Sequence, residues 1–325
     1  MNANDHRISR RTFVGSLTAA LAAAWLVPPG LLAADKPAMG KAAIGTPAMS
    51  KTAIRKIIPA TGETLPVIGL GTSKTFDISG EANLSDLVEV LQTFFAQGGE
   101  LVDSSPMYGE AERVIGELLN RVGNRDKLFA ATKVWTDGEQ AGILQMEDSL
   151  QKWGISRFDL MQIHNLRDWE THLKTLKDWK AEGKIRYIGI TTTLGRDHRK
   201  LEKILRDESL DFVQFSYNIA DRDVEERLLP AAADRGVAVL INRPFQRGEL
   251  FSKVKDKTLP DWAAECDCAS WGQFFLKFIV SHPAVTCAIP ATSKVHHLQD
   301  NMAAGLGRLP DTAMRKRMVD YFATL

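Results

Sequence analysis

Beyond residue 54 the chain alternates short apolar runs with longer stretches whose apolar positions recur every three to four residues. The short runs predict strands over 67–71, 100–103, 129–133, 159–164, 187–191, 212–216, 238–243 and 286–290. The longer ones predict helices over 85–97, 111–120, 141–153, 170–182, 196–206, 224–235 and 271–281, and an eighth from about Lys294. Gly98, Gly154, Gly183 and Gly236 stand just past the last periodic residues, where a helix ends most easily. Strands that are apolar on both faces belong to a parallel sheet covered all round. Eight of them, each followed by a helix, over residues 54–325, predict a (β/α)8 TIM barrel. Two further runs around Ala60-Thr-Gly-Glu63 predict an amino-terminal β-hairpin. A doubly wound open sheet is the alternative. Against it, Gly69-Leu-Gly71 begins like a dinucleotide turn but has Lys74 where the third glycine should be.

Three successive strands each finish on an ionisable side chain: Asp103, Lys133 and His164. Tyr108 follows Asp103 by five residues, in a loop opened by Ser104-Ser105-Pro106. In a barrel the carboxyl ends of the strands carry the active site, so all four converge there. Any one of them has a structural explanation, an ion pair under the rim or a hydrogen-bonded histidine. The set of four on adjacent strands points to chemistry. A free phenol has a pKa near 10 and is a weak acid at neutral pH. A neighbouring Lys133 is expected to lower that value, with Asp103 holding the lysine charged and in place. Tyr108 and His164 together would polarise a carbonyl oxygen as negative charge develops on it.

The first 34 residues differ in kind. Ser9-Arg-Arg-Thr-Phe-Val-Gly15 precedes an apolar stretch of about 11 residues, against the roughly 20 a membrane span requires. A basic start, a short apolar run and small residues up to Ala34 make an export signal over 1–34, and the arginine pair resembles the twin-arginine signal. The expected partner is the twin-arginine export machinery, and the expected location is periplasmic or extracytoplasmic. Residues 35–53, rich in Ala, Pro, Gly and Lys, read as a flexible linker. The whole chain carries 41 basic and 40 acidic side chains with no basic block, which argues against nucleic acid as a partner. Three cysteines, Cys266, Cys268 and Cys287, make neither a disulfide framework nor a metal-type spacing.

Several stretches together resemble the aldo-keto reductases. They are Leu65-Pro-Val-Ile-Gly-Leu-Gly-Thr72, Asp103-x4-Tyr108-Gly109, Thr132-Lys133, Gln162-Ile-His164-Asn165, Val213-Gln-Phe-Ser-Tyr-Asn218 and Ala288-Ile-Pro-Ala-Thr-Ser-Lys294. The resemblance implies a barrel that binds NADP(H) without a Rossmann domain and reduces aldehydes, ketones or sugar carbonyls, with NAD as the other possible cofactor. It assigns Asp103, Tyr108, Lys133 and His164 to the catalytic tetrad, with Tyr108 as general acid. Gln214 matches the glutamine that holds the cofactor carboxamide, and Thr191-Thr192 stands where Ser-Asn is usual. Asn242 replaces the common stacking aromatic, and the following Arg243 is open to a phosphate or to a rim acid. Thr292, Ser293 and Lys294 open the last helix of the barrel, where backbone N–H groups suit a phosphate and Lys294 suits a 2′-phosphate. Asn301 matches the residue that reads adenine, and His297 stands where an arginine is common. Trp135 matches a substrate-pocket wall, and no metal is implied. Two other roles remain open at this point: a cofactor-sensing barrel subunit with little turnover, and an NAD-linked sugar or polyol dehydrogenase.

Overall fold

The computed structural model describes residues 53–193 and 195–325. The expected export signal and nearly all of the expected linker lie outside the described residues. A hairpin of β1 (Arg55–Ile57) and β2 (Thr64–Pro66) comes first, paired antiparallel around Ile57 and Thr64. Eight strands of one parallel sheet follow: β3 (Leu70–Gly71), β4 (Leu101–Asp103), β5 (Phe129–Val134), β6 (Phe158–His164), β7 (Ile185–Thr191), β8 (Phe212–Ser216), β9 (Ala238–Asn242) and β10 (Cys287–Ala288). Between and after them lie α1 (Glu81–Ala96), α2 (Ala111–Val122), α3 (Glu139–Trp153), α4 (Trp169–Ala181), α5 (His198–Asp207), α6 (Leu228–Asp234), α7 (Glu249–Lys253), α8 (Trp271–Val280), α9 (Val295–Ala303) and α10 (Thr312–Phe322).

Strands pair in chain order, β3 through β10, and parallel bridges Ile68–Ala288 and Gly71–Ala291 close the sheet on itself. This is a (β/α)8 barrel, and the open doubly wound sheet is excluded. Closure depends on Gly71, since a Cβ there would lie 2.6 Å from the Ile289 carbonyl oxygen.

Alternation along each strand sorts the side chains. Val102, Ala130, Met161, Ile163, Ile188, Ile190, Val213 and Phe215 join the large core shared with the helices. Leu101, Phe129, Ala131, Leu160, Tyr187, Phe212, Leu240 and Cys287 form a second core inside the barrel, with Ile58 and Leu65 of the hairpin segment. The hairpin thus plugs the amino-terminal end. Tyr187 fixes it further, donating to Glu63 at 2.6 Å and lying 2.7 Å from the Thr61 hydroxyl. Two to four residues further along the same strands the inward positions turn polar, which sets a polar layer above an apolar floor.

Several elements differ from the sequence expectation. Helix α1 begins at Glu81, four residues early, because Leu84 is buried and an acid suits the first turn. Helix α6 is shorter than expected: Pro230 lacks an N–H and fits only the first turn, so a 3₁₀ turn over Asp223–Glu225 precedes it. Helices α7 and α10 lie outside the eight. The start of α10 had a signal, since Asp311 caps it by accepting from the Met314 N–H at 2.8 Å. No helix among the described residues is long and apolar enough to cross a membrane.

Candidate active site

The inward residues at the carboxyl ends of β4, β5, β6, β8 and β9 are Asp103, Lys133, Gln162 with His164, Gln214 with Ser216, and Asn242. All are buried, Lys133 completely. Lys133 Nζ lies 2.6 Å from Asp103 Oδ2 and donates to the Ser104 carbonyl at 2.7 Å. Its third proton is left for Tyr108, whose ring centroid is 5.3 Å from Nζ. The His164 ring meets Tyr108 edge to face at 5.7 Å. The four tetrad residues expected from the sequence therefore sit together.

The turn that delivers Tyr108 follows from local sequence. The Tyr108 N–H donates to the Ser105 carbonyl at 2.9 Å, closing a turn with Pro106 in its second position. The Ser105 hydroxyl accepts from the Met107 N–H at 3.2 Å and lies 2.8 Å from His164 Nδ1. One turn thus sets both the phenol and a contact to the imidazole.

Around Asp103 lie Gln162, given no role from the sequence, and Gln214 and Asn242, whose link to this carboxylate was not expected. Gln162 and Gln214 both donate to Asp103 Oδ1, at 2.8 and 3.1 Å, and Gln214 also donates to Gln162 at 3.0 Å. Asn242 donates to Gln214 Oε1 at 3.3 Å and accepts from Ser216 at 2.8 Å. So Asn242, at the position of the expected aromatic, extends a polar chain that ends on the Asp103 carboxylate. A signal for Gln162 existed: it stands two residues before His164 and so shares its face of β6. Gly189 on the next strand makes room for it, since a Cβ there would meet Gln162 Cγ at 2.8 Å.

Electrostatics depart from the expectation in one respect. Burial pushes the Tyr108 phenol above its ordinary value; Lys133 pulls it down by charge and hydrogen bond, but not enough to reverse the shift. Burial works against the Lys133 ammonium too, yet Asp103 and Tyr108 outweigh it and raise its pKa. Burial, helped by Lys133, drives His164 down to about 2. At neutral pH the cluster therefore holds a neutral phenol, a cationic lysine and a neutral imidazole.

The remaining candidates line the same rim. Thr191 ends β7 with its hydroxyl buried and unpartnered, as are Asn165 Oδ1 just after β6 and Arg243 Nε just after β9. Thr192 donates to Asp197 at 3.5 Å. Backbone strain gathers here: Asn165, Leu166 and Asp168 after β6, and Arg243, Gln246 and Arg247 after β9, all have left-handed φ between 43° and 60°. Such conformations cost on the order of 1–3 kcal/mol each and cluster at ligand sites. Thr292 is buried and accepts from the Lys294 N–H at 3.1 Å, with Ser293 between them. Lys294 itself caps α9, and its Nζ reaches Asp86 at 3.3 Å with both side chains more than half exposed. His297 is exposed on α9 beside His296, whereas Asn301 on the same helix is buried. Trp135 is half-buried at the mouth, with the Arg167 guanidinium 5.0 Å from its ring. Trp262 and Trp271 instead pack with Phe274 and Tyr321, away from the tetrad.

An elongated anionic cofactor fits these donors. The unpartnered Thr191 and Asn165 groups suit an amide, Arg243 and the start of α9 suit phosphates, and Lys294 is a solvent-facing cation. Among the described residues no three His, Cys, Asp or Glu side chains are grouped to hold a metal ion.

The sequence profile of the Aldo/keto reductase family matches residues 67–317. A methylglyoxal reductase of Escherichia coli is 28% identical over 257 residues, covering 77% of this chain and 89% of that one. An NADH-specific methylglyoxal reductase of the same organism is 26% identical over 238 residues, covering 62% and 71%. The fold matches that of an aldo/keto reductase from Klebsiella pneumoniae, solved with NADP and acetate. Its TM-score is 0.70 at 23% identity, covering 83% of this chain and 95% of that one.

Proposed function

Because the chain belongs to the Aldo/keto reductase family, we propose that it moves a hydride between NADP(H) and a small aldehyde, ketone or sugar carbonyl, with Tyr108 as general acid. The observation that carries this reading is the Asp103–Lys133–Tyr108–His164 cluster at the carboxyl rim, with a neutral phenol and a neutral imidazole facing each other. The cofactor, when bound, supplies the hydride. Thr191, Thr192, Asn165 and Gln214 would hold its amide end, Arg243, Thr292, Ser293 and Lys294 its phosphates, and His297 and Asn301 its adenine end.

The protein's own part is to bind the carbonyl oxygen and deliver a proton to it. Tyr108 keeps its proton until charge builds on that oxygen, then gives it up as the carbonyl becomes an alcohol. Lys133 stabilises the phenolate that results, and solvent reprotonates it. His164 orients the same oxygen, and Trp135 forms a wall of the pocket. Two relatives named as methylglyoxal reductases make small aldehydes the first substrates to screen.

Tyr108→Phe tests the assignment. The ring and its contacts to Lys133 and His164 remain, so cofactor affinity by fluorescence titration should stay near wild type. Turnover should fall by roughly 10²–10⁴, the usual worth of general acid catalysis. A mutant that reduces carbonyls at the wild-type rate would end the proposal.

Export by the twin-arginine route belongs to the same proposal, supported by Arg10 and Arg11 ahead of the short apolar run. A protein carried folded can acquire its cofactor in the cytoplasm. Replacing both arginines by lysine should retain folded, nucleotide-binding protein there. Normal extracytoplasmic accumulation of that double mutant would refute the signal assignment.

A further inference from the structure

His164 can act on a carbonyl only if the ring nitrogen facing it carries a proton, and a neutral imidazole carries one proton on one of two nitrogens. Nδ1 faces the Ser105 hydroxyl at 2.8 Å. Among the described residues nothing hydrogen-bonds Nε2, the nitrogen left to meet a substrate. The contact at Nδ1 therefore decides what Nε2 presents.

The direction of that hydrogen bond follows from the surroundings of Ser105, which is fully buried. Its oxygen already accepts from the Met107 N–H at 3.2 Å. Besides His164 Nδ1, no acceptor lies within reach of its hydroxyl proton among the described residues. Were Nδ1 to donate instead, Ser105 would accept twice and bury a proton with no acceptor, which native interiors avoid. The favoured arrangement satisfies every group: Met107 N–H to Ser105 Oγ, and Ser105 O–H to Nδ1. Burial of the ring, which lowers its pKa to about 2, keeps it from avoiding the choice by taking two protons.

Resting on the carbonyl-reduction reading, we propose that Ser105 is a positioning residue: it donates to His164 Nδ1 and so fixes the tautomer whose proton sits on Nε2, aimed at the substrate oxygen. The turn that presents Tyr108 has Ser105 as its first residue, closed by the Tyr108 N–H. The general acid and the tautomer of its partner are thus set by one four-residue segment.

The test is ¹⁵N NMR of protein labelled at histidine. The chain has seven histidines, so the spectrum of a His164→Asn variant identifies the His164 signals. In wild type, Nδ1 should resonate as an unprotonated, pyridine-type nitrogen and Nε2 as a protonated, pyrrole-type one. Ser105→Ala should bring the two shifts toward intermediate values as both tautomers become populated. Turnover should fall about twofold to tenfold with the surviving Nε2–H fraction, while cofactor affinity stays unchanged. Ser105→Thr, which keeps the hydroxyl, should restore the wild-type pattern and rate. A wild-type Nδ1 that carries the proton overturns the proposal, as does a Ser105→Ala protein with unaltered shifts and turnover. The shifts are read without substrate. A wild type with the expected pattern that turns over no carbonyl would therefore sink the reductase reading and leave the tautomer lock standing.

Discussion

Lys133→Met probes whether the cation proposed to assist Tyr108 also holds the site together. Lys133 is completely buried, and its ammonium makes a 2.6 Å ion pair with a carboxylate that is itself almost wholly buried. Removing one partner of such a pair typically costs about 3–5 kcal/mol, because the other is left charged in a medium that solvates it poorly. Here the loss is moderated: Gln162 and Gln214 still donate to Asp103 Oδ1. Oδ2 and the Ser104 carbonyl lose their donor outright. The low end, about 3 kcal/mol, is therefore expected. For a barrel of this size that is a drop of roughly 6–12 °C in Tm. Urea denaturation followed by circular dichroism, with the slope checked for constancy, measures it. Turnover should fall as well, since the phenolate loses the cation that pulls its pKa down. Adding Asp103→Asn removes the stranded charge and should recover most of the stability but none of the turnover. A Lys133→Met protein with the wild-type midpoint, or a double mutant no more stable than the single, would refute the reasoning.

Two further predictions concern other groups. Lys294→Ala should weaken NADPH about tenfold, the lower end for a charged hydrogen bond given its exposure, and leave NADH nearly unchanged. Asp86→Asn, by removing the nearby carboxylate, should tighten NADPH by a few-fold; equal effects on both cofactors in titration would show that Lys294 does not read the 2′-phosphate. Glu112 is buried between α2 and α3 and accepts from Thr132, Ser149 and Trp153, yet burial outweighs these bonds and raises its pKa. A carboxyl shifted upward on folding stabilises most at low pH and loses that contribution as pH rises above the unfolded value of about 4.3. Glu112→Gln should remove this slope, so its stability relative to wild type should improve between about pH 4 and pH 8; a constant difference across that range would contradict the assignment.

The sequence alone determined the barrel and the gathering of Asp103, Tyr108, Lys133 and His164 at one rim, and the reason is geometric. Barrel strands pair in chain order, so Asp103, Lys133 and His164, each read as the last residue of a strand, had to become neighbours at one rim. Tyr108 came with them because Ser105-Pro106 makes a turn of fixed length. Period-two alternation also carried a signal that was not used, since it places Gln162 on the same face of β6 as His164. Tertiary structure alone decided the rest. Which inward groups touch depends on the register between strands, and that register brings Gln162, Gln214 and Asn242 into one chain ending on Asp103. The contact of Ser105 with His164 spans 59 residues and leaves no local trace. The sign of the Tyr108 shift was out of reach for a different reason. Lys133 pulls the pKa down and burial pushes it up, and only the packed surroundings reveal that burial prevails.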